Sequence, residues 1–372
     1  MSRFLLALLL LAACGVPTAL AADAAVKPNF IFILIDDMGW RDLGCYGHQF
    51  HETPHIDKLA AEGVRFTQAY AACPVCSPTR ASILTGRYPP RYGITDWIPG
   101  RKNHPNQKLL QGTNVQELPL DELTLAEALK PAGYVSASIG KWHLGGPEFW
   151  PDKQGFDFNI GGTQTGSPPG GYFKFKTPSL QAKDENDYLT DRLTDEALGF
   201  IEKHKDKPFF LYLPHYTVHI PLQAKKDLLA KYEKKAGAKP QEGLCNPVYA
   251  AMIESLDDGV GKIVKKLADL KLTEKTVIVF TSDNGGLSVK EGPFTPATSN
   301  NPLRAGKGYL YEGGLRVPAI VSWPGTFKPK VQSTPIISMD YYPTFLELAG
   351  VNRTRTLDGV SLVKLLQGKE PL

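Results

Sequence analysis

Cysteine is scarce in the 372-residue sequence: 5 in all, too few for a disulfide scaffold, and a chain this long needs none to fold. A surplus of one charge is also missing. The 42 Lys and Arg against 38 Asp and Glu leave a formal +4, too small and too dispersed to mark a nucleic-acid binder. Beyond the N-terminus no apolar run is long enough to cross a bilayer as a helix. Internal repeats and low-complexity linkers are absent as well, which favours one domain. What remains is an ordinary globular composition, 42% hydrophobic and 22% charged with 35 Gly and 30 Pro, and it excludes collagen-like, coiled-coil and disordered classes.

At the N-terminus Arg3 precedes an apolar run from Phe4 to Ala13, which reads as a secretory signal within residues 1–21. Two processing sites fit. Ala19-Leu20-Ala21 follows the small-x-small rule for removal, and Leu11-Ala12-Ala13-Cys14 resembles a bacterial lipobox that would lipidate Cys14. The expectation is an exported protein, periplasmic or secreted, that meets a membrane only if lipidated at Cys14. Cys45, Cys73, Cys76 and Cys245 then enter an oxidising compartment, and their spacing does not pair them.

Strand-like apolar runs alternate with helix-like periodic ones, which predicts an α/β fold: a mostly parallel central sheet flanked by helices on both faces. The strand candidates are Asn29–Ile35, Tyr134–Ile139, Phe209–Leu213, Val277–Thr281 and Val317–Ser322. Met252, Ile253, Leu256, Val260, Ile263, Val264 and Leu267 recur at three-to-four spacing and predict a core helix over Tyr249–Leu270. Thr53-Pro54 before and Gly63 after mark a second helix, and Thr124 with Glu127 spell a capping box for a third. The stretches Gly100–Leu118 and Gly161–Asn186 are polar, interrupted loops.

Ligands of open α/β sheets bind beyond the carboxyl ends of strands, and two strand candidates end in acids. One runs into Asp36-Asp37, the other into Ser282-Asp283-Asn284-Gly285-Gly286. Three carboxylates and an amide suit a hard cation such as Ca²⁺, with Mg²⁺ the lesser fit; alternatively each pair is a plain turn former. Next comes Cys76-Ser77-Pro78-Thr79-Arg80. With Ser77 as N-cap and Pro78 at the first helical position, Cys76 falls just before a helix N-terminus, where amides, dipole and Arg80 favour an anion. A Cys73–Cys76 redox pair and a buried thiol are the other readings. In Gly140-Lys141-Trp142-His143, extended backbone would point Lys141 and His143 the same way. His215 and His219 follow another strand candidate, and Lys307 sits in a Gly-rich turn that lacks phosphate-loop spacing.

Together Asp36-Asp37, C-S-P-T-R-A-S-I-L-T-G from Cys76, G-K-W-H-L-G from Gly140, T-S-D-N-G-G from Thr281 and G-K-G-Y-L-Y-E-G-G-L-R-V-P from Gly306 resemble the type I, formylglycine-dependent sulfatases of the alkaline-phosphatase-like superfamily. The resemblance runs from about Lys27 to Leu366, in family order. It implies that a formylglycine-generating or anaerobic sulfatase-maturating enzyme oxidises Cys76 to formylglycine. It further implies that Asp36, Asp37, Asp283 and Asn284, with an oxygen on residue 76, hold Ca²⁺. Arg80 and Lys141 then support the formylglycine and sulfate, Lys307 clamps sulfate, His143 takes a proton from the formylglycine hydrate and His219 protonates the leaving alcohol.

The expected activity is cleavage of sulfate monoesters, on sulfated carbohydrate or aryl sulfate. Its alternatives are a phosphate or phosphonate monoester hydrolase using the same site, and a dead homologue that binds sulfated glycans. The catalytic domain is expected to occupy residues 27–372 and to lack most of the family's C-terminal subdomain. Two loops offer cations and aromatics to a polyanionic sugar or to solvent: Arg101, Lys102 and His104 in one, and Tyr172 to Lys176 in the other.

Overall fold

The computed structural model describes residues 27–236 and 245–369. The signal segment and Cys14 lie outside these residues. The described residues carry nine strands: β1 (Asn29–Ile35), β2 (Val64–Tyr70), β3 (Val135–Ile139), β4 (Phe158–Ile160), β5 (Phe209–Pro214), β6 (Thr276–Ser282), β7 (Arg316–Ser322), β8 (Lys330–Gln332) and β9 (Ile336–Ile337). They form one sheet in the order β4-β3-β5-β1-β6-β7-β2-β8, with β9 paired to β2. The strands β4, β3, β5, β1 and β6 run parallel to one another, whereas β7 is antiparallel to both neighbours.

Period-two alternation sends each central strand's side chains to two cores, which is why these strands read as unbroken apolar runs. Ile31, Ile33 and Ile35 of β1 join Leu211, Leu213 and Phe280 on one face, beneath the helices Pro54–Ala61, Leu189–His204 and Pro247–Asp269. Phe30, Phe32 and Leu34 join Phe210, Val279 and Phe345 on the other, beneath Cys76–Thr85, Leu125–Leu129 and Tyr341–Leu348. The mostly parallel, doubly covered α/β sheet is the architecture that the sequence predicts.

Local signals explain most of the helix limits. Asn246 accepts from Val248 N and Tyr249 N, with Pro247 in the first turn. Thr124 and Glu127 form the reciprocal capping box, at 3.2 and 2.7 Å. Two residues at helix starts do not act as caps. Thr53 has no side-chain cap bond, because its hydroxyl donates to Asp57 Oδ1 and accepts from Gly44 N. Ser77 is not an N-cap either: the helix begins at Cys76 after extended Val75, and Ser77 Oγ donates to the His143 carbonyl while accepting from Ile98 N. Cys45, Cys73, Cys76 and Cys245 are all free thiols.

Because β1, β3, β5 and β6 are parallel, their carboxyl ends open on one edge of the sheet. Asp36, Gly140, His215 and Asp283 each follow one of these ends.

Candidate active site

Asp36 and Asp283 leave neighbouring strands in register, since Ile35 pairs with Ser282. Asp37 turns the chain at φ +65, and its amide donates to Asp283 Oδ1 at 3.2 Å. All three carboxylates and Asn284 are buried. Arg80, in the helix Cys76–Thr85, donates from Nε and Nη2 to Asp283 Oδ2 at 2.9 and 2.8 Å and from Nη1 to the Lys141 carbonyl at 3.1 Å. Lys141 Nζ donates to Asp36 Oδ2 at 2.7 Å. Lys307 Nζ donates to Asp37 Oδ2 at 2.7 Å, and Asn284 Nδ2 to Asp37 Oδ1 at 2.8 Å.

Electrostatics divides the acids. Burial raises Asp36 despite Lys141 and Arg80, and burial together with Asp36 pushes Asp283 up to about 6 despite Arg80. Burial also acts to raise Asp37, but Lys307 and His219 outweigh it and hold this carboxyl well below the usual range. Two buried oxygens, Asp36 Oδ1 and Asn284 Oδ1, have no hydrogen-bond partner. Unpaired buried acceptors are costly, so a group of acids and an amide that leaves two of them facing inward fits a hard, oxygen-seeking cation.

Cys76 opens its helix with its side chain buried, and Sγ lies 3.3 Å from His143 Nδ1. The other nitrogen of that ring donates to the Ile98 carbonyl at 2.5 Å, which leaves Nδ1 as the acceptor facing Cys76. His219 is fixed in the opposite tautomer. Its Nδ1–H donates to the Ile220 carbonyl at 2.7 Å, and its Nε2 accepts from Lys307 Nζ at 2.9 Å. Burial lowers both histidines to about 3, helped by Lys141 at His143 and by Lys307 at His219, so both rings are neutral near pH 7. Cys76, His143, His219 and Lys307 line one cavity of about 510 Å³.

A family model described as Sulfatase matches residues 28–351. The chain belongs to the sulfatase family. It is similar to N-acetylgalactosamine-6-sulfatase of Canis lupus familiaris, with 36% identity over 97% of this chain and 69% of that protein. Arylsulfatase A of Homo sapiens is 35% identical, over 94% of this chain and 70% of its own length. Among solved structures, Ps i-CgsB in complex with k-i-k-neocarrahexaose has a TM-score of 0.76 at 35% identity, covering 92% of this chain and 77% of that one.

In this sulfatase the structure gathers every residue singled out in the sequence for the site: Asp36, Asp37, Cys76, Arg80, Lys141, His143, His219, Asp283, Asn284 and Lys307. The route differs at one point. Lys141 and His143 do not share an extended strand, because Gly140 at φ +124 and His143 at φ +61 turn the backbone, and each side chain reaches its partner from a loop. His215 is buried and does not line the cavity. Sequence reasoning missed the supports behind the site. Tyr249 donates to Asp42 Oδ2 at 2.7 Å, and Gly39 N and Thr298 Oγ1 donate to the same carboxylate, bracing the turn after Asp37. Tyr172 donates to the carbonyls of Tyr216 and His219 at 2.7 and 3.0 Å. Trp97 was missed too; a lone loop aromatic carries little signal until it is seen on the cavity wall.

Proposed function

We propose that this sulfatase hydrolyses sulfate monoesters of carbohydrates in an exported setting, with Cys76 as the position oxidised to formylglycine and Asp36, Asp37, Asp283 and Asn284 as the holders of Ca²⁺. The observation that carries the reading is the 3.3 Å approach of Cys76 Sγ to His143 Nδ1, on the wall of a cavity backed by three carboxylates and three fixed cations. When present, Ca²⁺ supplies Lewis-acid polarisation and formylglycine supplies the hydroxyl of its hydrate as nucleophile.

The chain's own groups set the electrostatics. Arg80, Lys141 and Lys307 cancel the three carboxylates in formal charge, so a bound divalent cation leaves a net positive floor suited to an anionic ester. Lys307 faces the cavity and holds a sulfate oxygen, while Arg80 and Lys141 stay behind it, paired with Asp283 and Asp36. His143 Nδ1 accepts a proton from the side chain at position 76. His219 and Lys307 hold one proton between them at 2.9 Å, and it goes to the oxygen of the departing alcohol.

Cys76 is 3% exposed and is the first residue of a helix, so its maturing enzyme, of the formylglycine-generating or anaerobic kind, meets it in the unfolded chain. Residues 27–372 serve as one catalytic domain behind a signal segment of residues 1–21. No helix of the described residues is long and apolar enough to cross a membrane. Comparing kcat/KM for the sulfate and phosphate esters of one alcohol tests the activity: sulfate is preferred, and a clear preference for phosphate overturns the reading.

A further inference from the structure

The basic and acidic side chains on the cavity lining are His143, His219, Lys307, Arg101 and Glu291. The first three belong to the chemistry above. Arg101 does not, and its surroundings differ from those of Arg80. The Arg80 fork is occupied by Asp283 and the Lys141 carbonyl. Arg101 gives one N–H, from Nη2, to the Gly308 carbonyl at 3.3 Å, and its Nε lies 3.8 Å from Asp96 Oδ2, beyond hydrogen-bond reach. The guanidinium thus makes a single hydrogen bond among the described residues and has Asp96 beside it at ion-pair distance, which leaves donors for a ligand.

The guanidinium is nevertheless held in place. It lies 5.1 Å from the centroid of the Trp97 ring. Trp97 sits on a loop pinned on three sides: Asn114 Oδ1 accepts from Thr95 N and Asp96 N, Asn114 Nδ2 donates to the Trp97 carbonyl at 3.2 Å, and Ile98 is bonded to both Ser77 and His143. The platform is thus fixed to the two segments that present Cys76 and His143. Through Gly308 it is also tied to the residue that follows Lys307. Arg101 is itself exposed and differs in lining the cavity: the other basic residues of the two loops noted in the sequence, Lys102, His104, Lys174 and Lys176, are exposed and outside the lining, while Tyr172 and Phe175 are core side chains.

We infer that Arg101, positioned on Trp97, binds a second oxyanion of the saccharide that carries the scissile sulfate, so the preferred substrate is polyanionic near the cleaved ester. A planar fork matches sulfate or carboxylate in two parallel hydrogen bonds, so the second group is another sulfate ester or a uronate carboxylate. Glu291, the one carboxylate on the lining, disfavours an anion at its own position and accepts from a sugar hydroxyl. The inference rests on the reading of the chain as a carbohydrate sulfatase.

The test uses the mature protein and three saccharides matched around one scissile sulfate: monosulfated, disulfated, and monosulfated beside a uronate. Wild type, Arg101→Ala, Arg101→Lys and the exposed control Lys102→Ala are compared by kcat/KM. Wild type is expected to prefer one of the doubly anionic substrates by about tenfold, the usual worth of a charge-assisted pair. The arm that shows the preference identifies the second group. Arg101→Ala brings the ratio close to one, mainly through KM; Arg101→Lys keeps part of it, and Lys102→Ala keeps all of it. A wild type without the preference, or an Arg101→Ala ratio equal to wild type, overturns the inference. A wild type that cleaves no sulfate ester, aryl sulfates included, instead overturns the reading beneath it.

Discussion

His143 turns Nδ1 toward Cys76 Sγ at 3.3 Å while its Nε2–H is bound to the Ile98 carbonyl. The ring is thereby fixed with its basic nitrogen facing residue 76. Burial, then Lys141, lowers it to about 3, so it enters the reaction unprotonated. Replacing it by His143→Ala is expected to reduce kcat by about 10²- to 10⁴-fold, the range for loss of a positioned acid–base group. Steady-state kinetics checks this, and a kcat within twofold of wild type would remove His143 from proton transfer.

The orphan oxygens Asp36 Oδ1 and Asn284 Oδ1 call for a cation. A ligand that binds only the folded state stabilises it by about 2.7 kcal/mol at one hundred times its Kd. Calorimetry in EDTA and then in excess calcium is expected to show a rise in Tm for wild type that is mostly lost in Asp36→Asn. Equal Tm values for wild type in both conditions would contradict the cation site.

Asp257 accepts from the amides of His55 and Ile56 at 3.1 and 2.7 Å, closing the start of the helix Pro54–Ala61. Burial raises its carboxyl from 3.8 to about 6. A folded-state pKa above the unfolded value means that the folded protein binds the extra proton. The contribution to stability is therefore complete below about 4 and is lost as pH rises through 6. The urea midpoint of Asp257→Asn relative to wild type is expected to be higher at pH 7 than at pH 4, and an offset equal at the two pH values would refute the assignment.

Phe345 stacks on Phe30 at 4.3 Å and meets Phe32 and Phe210 edge-on, each at 6.1 Å. It joins the helix Tyr341–Leu348 to the centre of the sheet. Phe345→Ala is expected to cost about 3–5 kcal/mol in a urea titration, from lost burial and the cavity left behind. A loss below about 1 kcal/mol would show that this helix is peripheral.

The central strands were legible because burial on both faces writes them as continuous apolar runs: β1 was predicted at its observed limits, and β5 and β6 to within one residue at each end. Strand β2 escaped because Arg65, Thr67 and Gln68 interrupt it, and a register shift between Phe66 and Ala69 breaks its pattern. The strands β4, β8 and β9 are too short to signal themselves. Asp36-Asp37 and Asp283-Asn284 were legible because they follow strands that proved parallel. Contacts across the chain were not, such as Lys307 with Asp37 and His219, since spacing says nothing about which loops meet. The turn at Gly140, ahead of Lys141, was hidden for a local reason. Gly140 adopts its positive φ where a Cβ would strike the Pro214 carbonyl, and that neighbour is known only once β3 and β5 are paired.

In the proposed reaction residue 76 acts as formylglycine within a cation-assisted sulfatase site. Mass spectrometry of the peptide that carries position 76, taken from protein of measured sulfatase activity, tests it most directly. An aldehyde or its hydrate is expected at this position, in a fraction that rises in proportion to specific activity. Fully active protein with an unmodified Cys76 thiol would contradict it.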